Sequence, residues 1–121
     1  MFLNKTGYFE MRPLPDTSQL APAFDLCAED LDDDGAVDLF LAQNVFGVPE
    51  RTSRYDSGRG LLLRGDGTGN FVAVPASGNG IALYGEQRGV TAADFNNDGR
   101  ADLAVGQRGA ATRLFINRKT D

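Results

Sequence analysis

Apolar residues along this chain fall in short runs of about five, closed by turn-forming residues such as Gly, Asn, Asp or Pro. Residues 24–29, 38–43, 60–64 and 70–74 read as four consecutive strands, each of ordinary strand length. A second unit repeats around them. FLNKTGYFEM at the start is similar to LLLRGDGTGNFVAV at 61–74, and RLFINRKTD at the end begins the unit again. Each copy is an apolar run, a small polar cluster, then an aromatic that opens a further run, which is the signature of a hairpin. Gly65, Gly67 and Gly69 supply the positive φ that tight connections need. No long window carries helical periodicity, and 15 glycines weigh against helices. The pattern predicts an all-β chain.

The chain also repeats on a longer scale. CAEDLDDDGAVDLFLAQN at 27–44 aligns without gaps to TAADFNNDGRADLAVGQR at 91–108, an offset of 64 residues. Ala28/Ala92, Asp30/Asp94, Asp34/Asp98, Gly35/Gly99, Asp38/Asp102, Leu39/Leu103 and Gln43/Gln107 are shared. Four short strands recurring at this period point to four-stranded antiparallel β-propeller blades. The expected division of 1–121, a partial propeller of about two blade equivalents, is a hairpin of an incomplete blade at 1–12, a complete blade at 24–74, and three strands of a further blade at 88–118. Two blades cannot close a ring, and each needs neighbours on both faces to bury its apolar surface. The expected partners are therefore further blades of a longer protein or other copies of this chain, with the fragment preferred.

Composition changes the picture mainly through its acids. The formal net charge is −5, from 17 acidic and 12 basic residues. The basic residues are scattered, which argues against nucleic acid. Eight aspartates lie in just two windows, 30–38 and 94–102, so the acidity is local and two divalent cations would cancel most of it. The single cysteine, Cys27, forbids an intrachain disulfide and reads as a small core residue. Histidine is absent, removing the commonest general base and zinc ligand. No apolar run is long enough to span a membrane, and the N-terminal residues do not read as a signal peptide.

The acidic windows spell Asp-x-Asp-x-Asp-Gly-x-x-Asp and Asp-x-Asn-x-Asp-Gly-x-x-Asp. In a tightly coiled loop the first, third and fifth side chains converge, glycine at the sixth place permits the turn, and the seventh residue offers a carbonyl. Hard oxygens with several carboxylates suit Ca²⁺ better than zinc or copper. Two sites are expected: Asp30, Asp32, Asp34 and Asp38 with the Ala36 carbonyl, and Asp94, Asn96, Asp98 and Asp102 with the Arg100 carbonyl. The first, with more carboxylates, is expected to bind more tightly. A helix-loop-helix hand would need Glu at the twelfth place, where Leu41 and Val105 stand, so these are calcium loops in a β context. Asp33 becomes Asn97 in the second copy and lies off the ligand positions.

An enzyme reading competes weakly. Asp32-Asp33-Asp34-Gly35 has the look of a phosphatase Asp-x-Asp-Gly, but Asn96-Asn97-Asp98-Gly99 breaks that pattern while keeping every calcium position. The helices of a doubly wound phosphatase are also missing from the pattern. A metal-dependent hydrolase is the least favoured reading, and no catalytic residue is assigned.

The two acidic loops and the strands after them resemble FG-GAP/VCBS repeats, the blades of integrin-α-like propellers. The stretch 53–107, which opens SRYDSGRGLLL, is similar to repeats of cartilage-acidic-protein-like chains, often accompanied by an ASPIC/UnbV region. The resemblance implies a Ca²⁺-stabilised propeller segment, outside the cytoplasm (extracellular, periplasmic or at the cell surface), acting in adhesion or recognition rather than catalysis. The FG and GAP landmarks are degenerate here, as Phe46-Gly47-Val48-Pro49 and Gly109-Ala110-Ala111. Two further features bear on recognition. Arg64-Gly65-Asp66 spells an adhesive tripeptide but falls where the repeat demands a hairpin turn. The long loop 44–59, with Phe46, Arg51, Arg54 and Tyr55, offers a lectin-like or protein-binding alternative, a glycan or protein being the ligand.

Overall fold

The computed structural model of the protein describes residues 1–45 and 58–118. Its nine described strands form three antiparallel sheets: β1 (Phe2–Lys5) with β2 (Tyr8–Met11); β3 (Ala23–Glu29), β4 (Asp38–Gln43), β5 (Leu61–Gly65) and β6 (Phe71–Val74); then β7 (Glu86–Ala93), β8 (Asp102–Arg108) and β9 (Ala110–Phe115). The chain is all-β, as the pattern predicts, and the four strands of the middle sheet start and end within one residue of their expected bounds. One helical turn, α1 (Ala76–Asn79), follows β6 between Pro75 and left-handed Gly80. It is too short to leave a periodic trace in the sequence.

Each sheet meanders, so strands adjacent in sequence pair directly. The 64-residue repeat is a repeat of register as well. Glu29 pairs Asp38 where β3 hands over to β4, and Ala93 pairs Asp102 where β7 hands over to β8. The third strands follow a shorter offset, because Leu39 pairs Leu63 while Leu103 pairs Phe115. The cause is the connection between second and third strands. It runs from Asn44 to Gly60 in the middle sheet but is Gly109 alone in the last, a reversal that this glycine makes at φ 70°.

In the middle sheet β4 is buried along its whole length, with apolar side chains packed on both of its faces. Phe40 points one way, into a core with Ile81, Leu83, Leu103 and Val105, against which Cys27, Leu62, Val90 and Phe115 also pack. Leu39 and Leu41 point the other way, with Leu63 and, around them, Leu14, Leu61 and Phe71. This is period-two alternation with both faces apolar, as a stacked blade requires. Away from β4 apolar side chains stay exposed: Phe2, Tyr8, Phe9 and Met11 in the first sheet, Phe24, Leu26 and Val72 on the outer strands of the middle one, and Leu114 in the last. Polar contacts also join the stack. Val90 N–H donates to Asp25 Oδ2 at 3.0 Å, and Gln43 N–H donates to Gln87 Oε1 at 3.1 Å. Among the described residues no helix is long and apolar enough to cross a membrane.

Candidate metal centre

The two acidic connections, 30–37 between β3 and β4 and 94–101 between β7 and β8, share one backbone. Asp33 and Asn97 both sit at φ 60°, and Gly35 and Gly99 at 87° and 88°. Asp and Asn tolerate that left-handed region better than other side-chain-bearing residues, and glycine occupies it without strain. The same hydrogen bonds then wind both loops. The first aspartate gathers two amides: Asp30 accepts from Asp34 N–H at 3.2 Å and Gly35 N–H at 2.8 Å, and Asp94 from Asp98 N–H at 3.0 Å and Gly99 N–H at 2.8 Å. The fifth accepts the amide two residues on, Asp34 from Ala36 at 2.8 Å and Asp98 from Arg100 at 3.0 Å.

The ninth aspartate clamps the loop to its sheet. Asp38 Oδ2 accepts Leu31 N–H at 3.0 Å and its Oδ1 accepts Gly65 N–H, at the end of β5, at 2.9 Å. Asp102 does the same with Phe95 N–H at 3.0 Å and Asn117 N–H, just past β9, at 2.8 Å. Both carboxylates are 1% exposed. Burial pushes the Asp38 carboxyl above its ordinary value. The amides of Gly65 and Leu31 oppose that, and the charges of Asp32 and Asp34 reinforce it.

In the first loop Asp30, Asp32 and Asp38 each bring one carboxylate oxygen to within 4.8 Å of the others. Three carboxylates converging without a sulfur or imidazole could hold a hard divalent cation, and each oxygen that accepts one amide keeps a second lone pair. Arg64 Nη1 approaches Asp32 Oδ2 at 3.5 Å, the arginine side chain lying largely in solvent and the aspartate partly so. The second loop is neutralised differently. Asn96 replaces Asp32, donating from Nδ2 to Asp98 Oδ2 at 2.9 Å while its Oδ1 accepts Asp98 N–H at 3.1 Å. The Arg100 guanidinium donates to the same Asp98 Oδ2 at 2.7 Å. The Asn96 side chain first, then the Arg100 amide and charge, hold the Asp98 carboxyl below its ordinary value.

Arg64-Gly65-Asp66 is built into the β5–β6 connection. Asp66 accepts from Thr68 N–H and Oγ1, both at 2.8 Å, and from Asn70 N–H at 3.2 Å and Nδ2 at 2.7 Å. Asn70 above all holds its carboxyl far below the usual range. Gly67 and Gly69 adopt the expected positive φ but Gly65 does not. It serves by size instead, because a Cβ there would run into the Val37 carbonyl oxygen, so glycine is what lets β5 approach the first loop. Phe46, Arg51, Arg54 and Tyr55 lie outside the described residues. Asn117 escaped the sequence reading: its Nδ2 donates to Leu31 O at 2.7 Å and Ala101 O at 3.2 Å, tying the first loop to the second. Its place at the end of a hairpin-like apolar run was the available signal.

The profile of the FG-GAP-like repeat family matches residues 30–105, which contain both loops. Cartilage acidic protein 1 of Xenopus tropicalis is 35% identical over 66 residues, 54% of this chain and 10% of that protein. Its human counterpart is 34% identical over 65 residues, 54% and 10% of the two chains, and the mouse protein 34% over 61 residues, 50% and 9%. The chain spans about a tenth of the length of these relatives. No solved structure matches.

Proposed function

Since this chain belongs to the FG-GAP-like repeat family, we propose that it is a calcium-binding repeat segment whose ions are structural, within a larger adhesion or recognition protein. The observation that carries the reading is the convergence of Asp30, Asp32 and Asp38 on one point. In this reading Asp34 and the Ala36 carbonyl complete the first site, and Asp94, Asn96, Asp98, Asp102 and the Arg100 carbonyl form the second. A bound Ca²⁺ supplies positive charge and flexible oxygen coordination. The chain's own part is to hold the carboxylates together through the amides of 31, 34 and 35, at a cost in mutual repulsion that the ion removes. Binding only to the native state then stabilises it, by about 2.7 kcal/mol at a hundredfold excess over the dissociation constant.

The family and the cartilage acidic protein relatives favour a binding module over an enzyme, and the absence of histidine agrees. An extracellular setting suits loops of this kind, since calcium modules there work at 10⁻⁴–10⁻³ M or thereabouts, roughly the weak end of the known range. The partners proposed are further blades stacked on the exposed faces of the outer sheets.

Calorimetric titration of this chain with CaCl₂, beside thermal melts in calcium and in chelator, tests the reading. Binding with a higher melting temperature in calcium is expected, and Asp32→Asn should weaken the tighter step by about tenfold, as loss of a charged ligand does. No heat and no thermal shift at millimolar calcium would overturn it.

A further inference from the structure

We infer that Arg100 is a tethered counter-cation of the second loop, a positioning residue that competes with a divalent ion for Asp98 and leaves the two loops unequal in their need for calcium. The inference rests on the calcium reading above. It begins at the seventh place of the repeat, where the first loop has Ala36 and the second has Arg100. Arg100 engages both oxygens of Asp98. Its amide donates to Oδ1 at 3.0 Å and its guanidinium to Oδ2 at 2.7 Å. The Asn96 amide donates to that same Oδ2 at 2.9 Å. A carboxylate oxygen offers about two lone-pair sites, so Oδ2 is full, and an ion bound there must displace a donor.

The guanidinium is also held in place. Its Nε donates to Asn117 O at 3.4 Å, and its side chain is 25% exposed. The first loop has nothing equivalent. Among the described residues the one donor to Asp34 is the Ala36 amide. The nearby Arg64 reaches Asp32 at 3.5 Å from a side chain 60% exposed, a weak restraint for a long, solvated side chain. Charge follows the same division: the first window holds five aspartates and no basic residue, Arg64 approaching it from β5, whereas the second holds three aspartates and Arg100. The second loop carries its own cation; the first must recruit one.

The test is calcium titration of the full chain, with thermal melts in chelator, on the wild type, Arg100→Gln, Arg100→Lys and Ala36→Arg. Arg100→Gln should tighten the weaker calcium step about five- to tenfold and lower the melting temperature in chelator. Arg100→Lys, which keeps the charge, should restore most of both. Ala36→Arg, at a half-exposed position, should weaken the tighter step by a similar factor and raise the melting temperature in chelator. A merely structural Arg100 would lose stability in chelator on substitution by Gln without any gain in affinity. Wild-type binding with an unchanged or weakened second step in Arg100→Gln therefore overturns this inference and leaves the calcium reading intact. No calcium binding by any of the four proteins overturns both.

Discussion

The loops at 30–38 and 94–102 have one backbone and two electrostatic solutions. Positions one, five, six and nine of the repeat are Asp, Asp, Gly and Asp in both, and these form the hydrogen bonds that wind the loop and clamp it to its sheet. Positions three, four and seven are Asp, Asp and Ala in one and Asn, Asn and Arg in the other, and these decide what neutralises it. Shape and charge are carried by different residues. That separation lets the two loops keep one hydrogen-bonded backbone while differing in their charge.

The sharpest way to break this comparison is at the ninth position, where the two loops should behave alike. Asp38→Ala and Asp102→Ala each abandon two backbone amides held by a carboxylate that is 1% exposed. An unsatisfied buried donor costs about 1–3 kcal/mol, so each variant should lose about 3 kcal/mol in chelator, read from urea melts. If Asp102→Ala cost less than half as much as Asp38→Ala, the clamps would not be equivalent and the shared-scaffold view would fail.

Acid should separate the loops instead. Asp38 titrates above its ordinary value because it is buried, so the folded chain holds that proton more tightly than the unfolded one. Its contribution is fully present below the unfolded pKa and is lost as pH rises through the folded one. Asp98 titrates below its ordinary value, through Asn96 and then Arg100. Its contribution is present above the unfolded pKa and is lost as pH falls through the folded one. In chelator, the stability difference between wild type and Asp38→Asn should shrink with rising pH, and that between wild type and Asp98→Asn should grow. Slopes of the same sign would remove the electrostatic contrast.

Much of this was legible in the sequence because strands and loops here are local. An apolar run ended by glycine or aspartate needs no distant partner to be recognised, and the gapless repeat at 27–44 and 91–108 doubles each signal. What stayed hidden depends on where side chains go across the stack. Arg100 could be assigned a carbonyl from its place in the loop, but not a guanidinium folded back on Asp98. Asn117 meets Leu31 across 86 residues, a pairing set by how the last two sheets pack. The third-strand register was hidden too, because Gly109 alone does in one sheet what Asn44 to Gly60 do in the other.

The smallest effect is expected at the fourth position, where Asp33→Asn copies the second loop into the first. Asp33 and Asn97 share φ 60°, and both residue types tolerate it, so the backbone has no reason to move and stability in chelator should change by less than about 0.5 kcal/mol. Asp33 lies outside the converging trio, so it acts on a bound ion only as a nearby solvated charge. Exposed charge pairs are worth about 0.2–1 kcal/mol, hence a calcium step weakened by about fivefold at most, with the loss fading as salt is raised. A tenfold or larger loss that persists in high salt would make Asp33 a ligand and redraw the first site around five carboxylates.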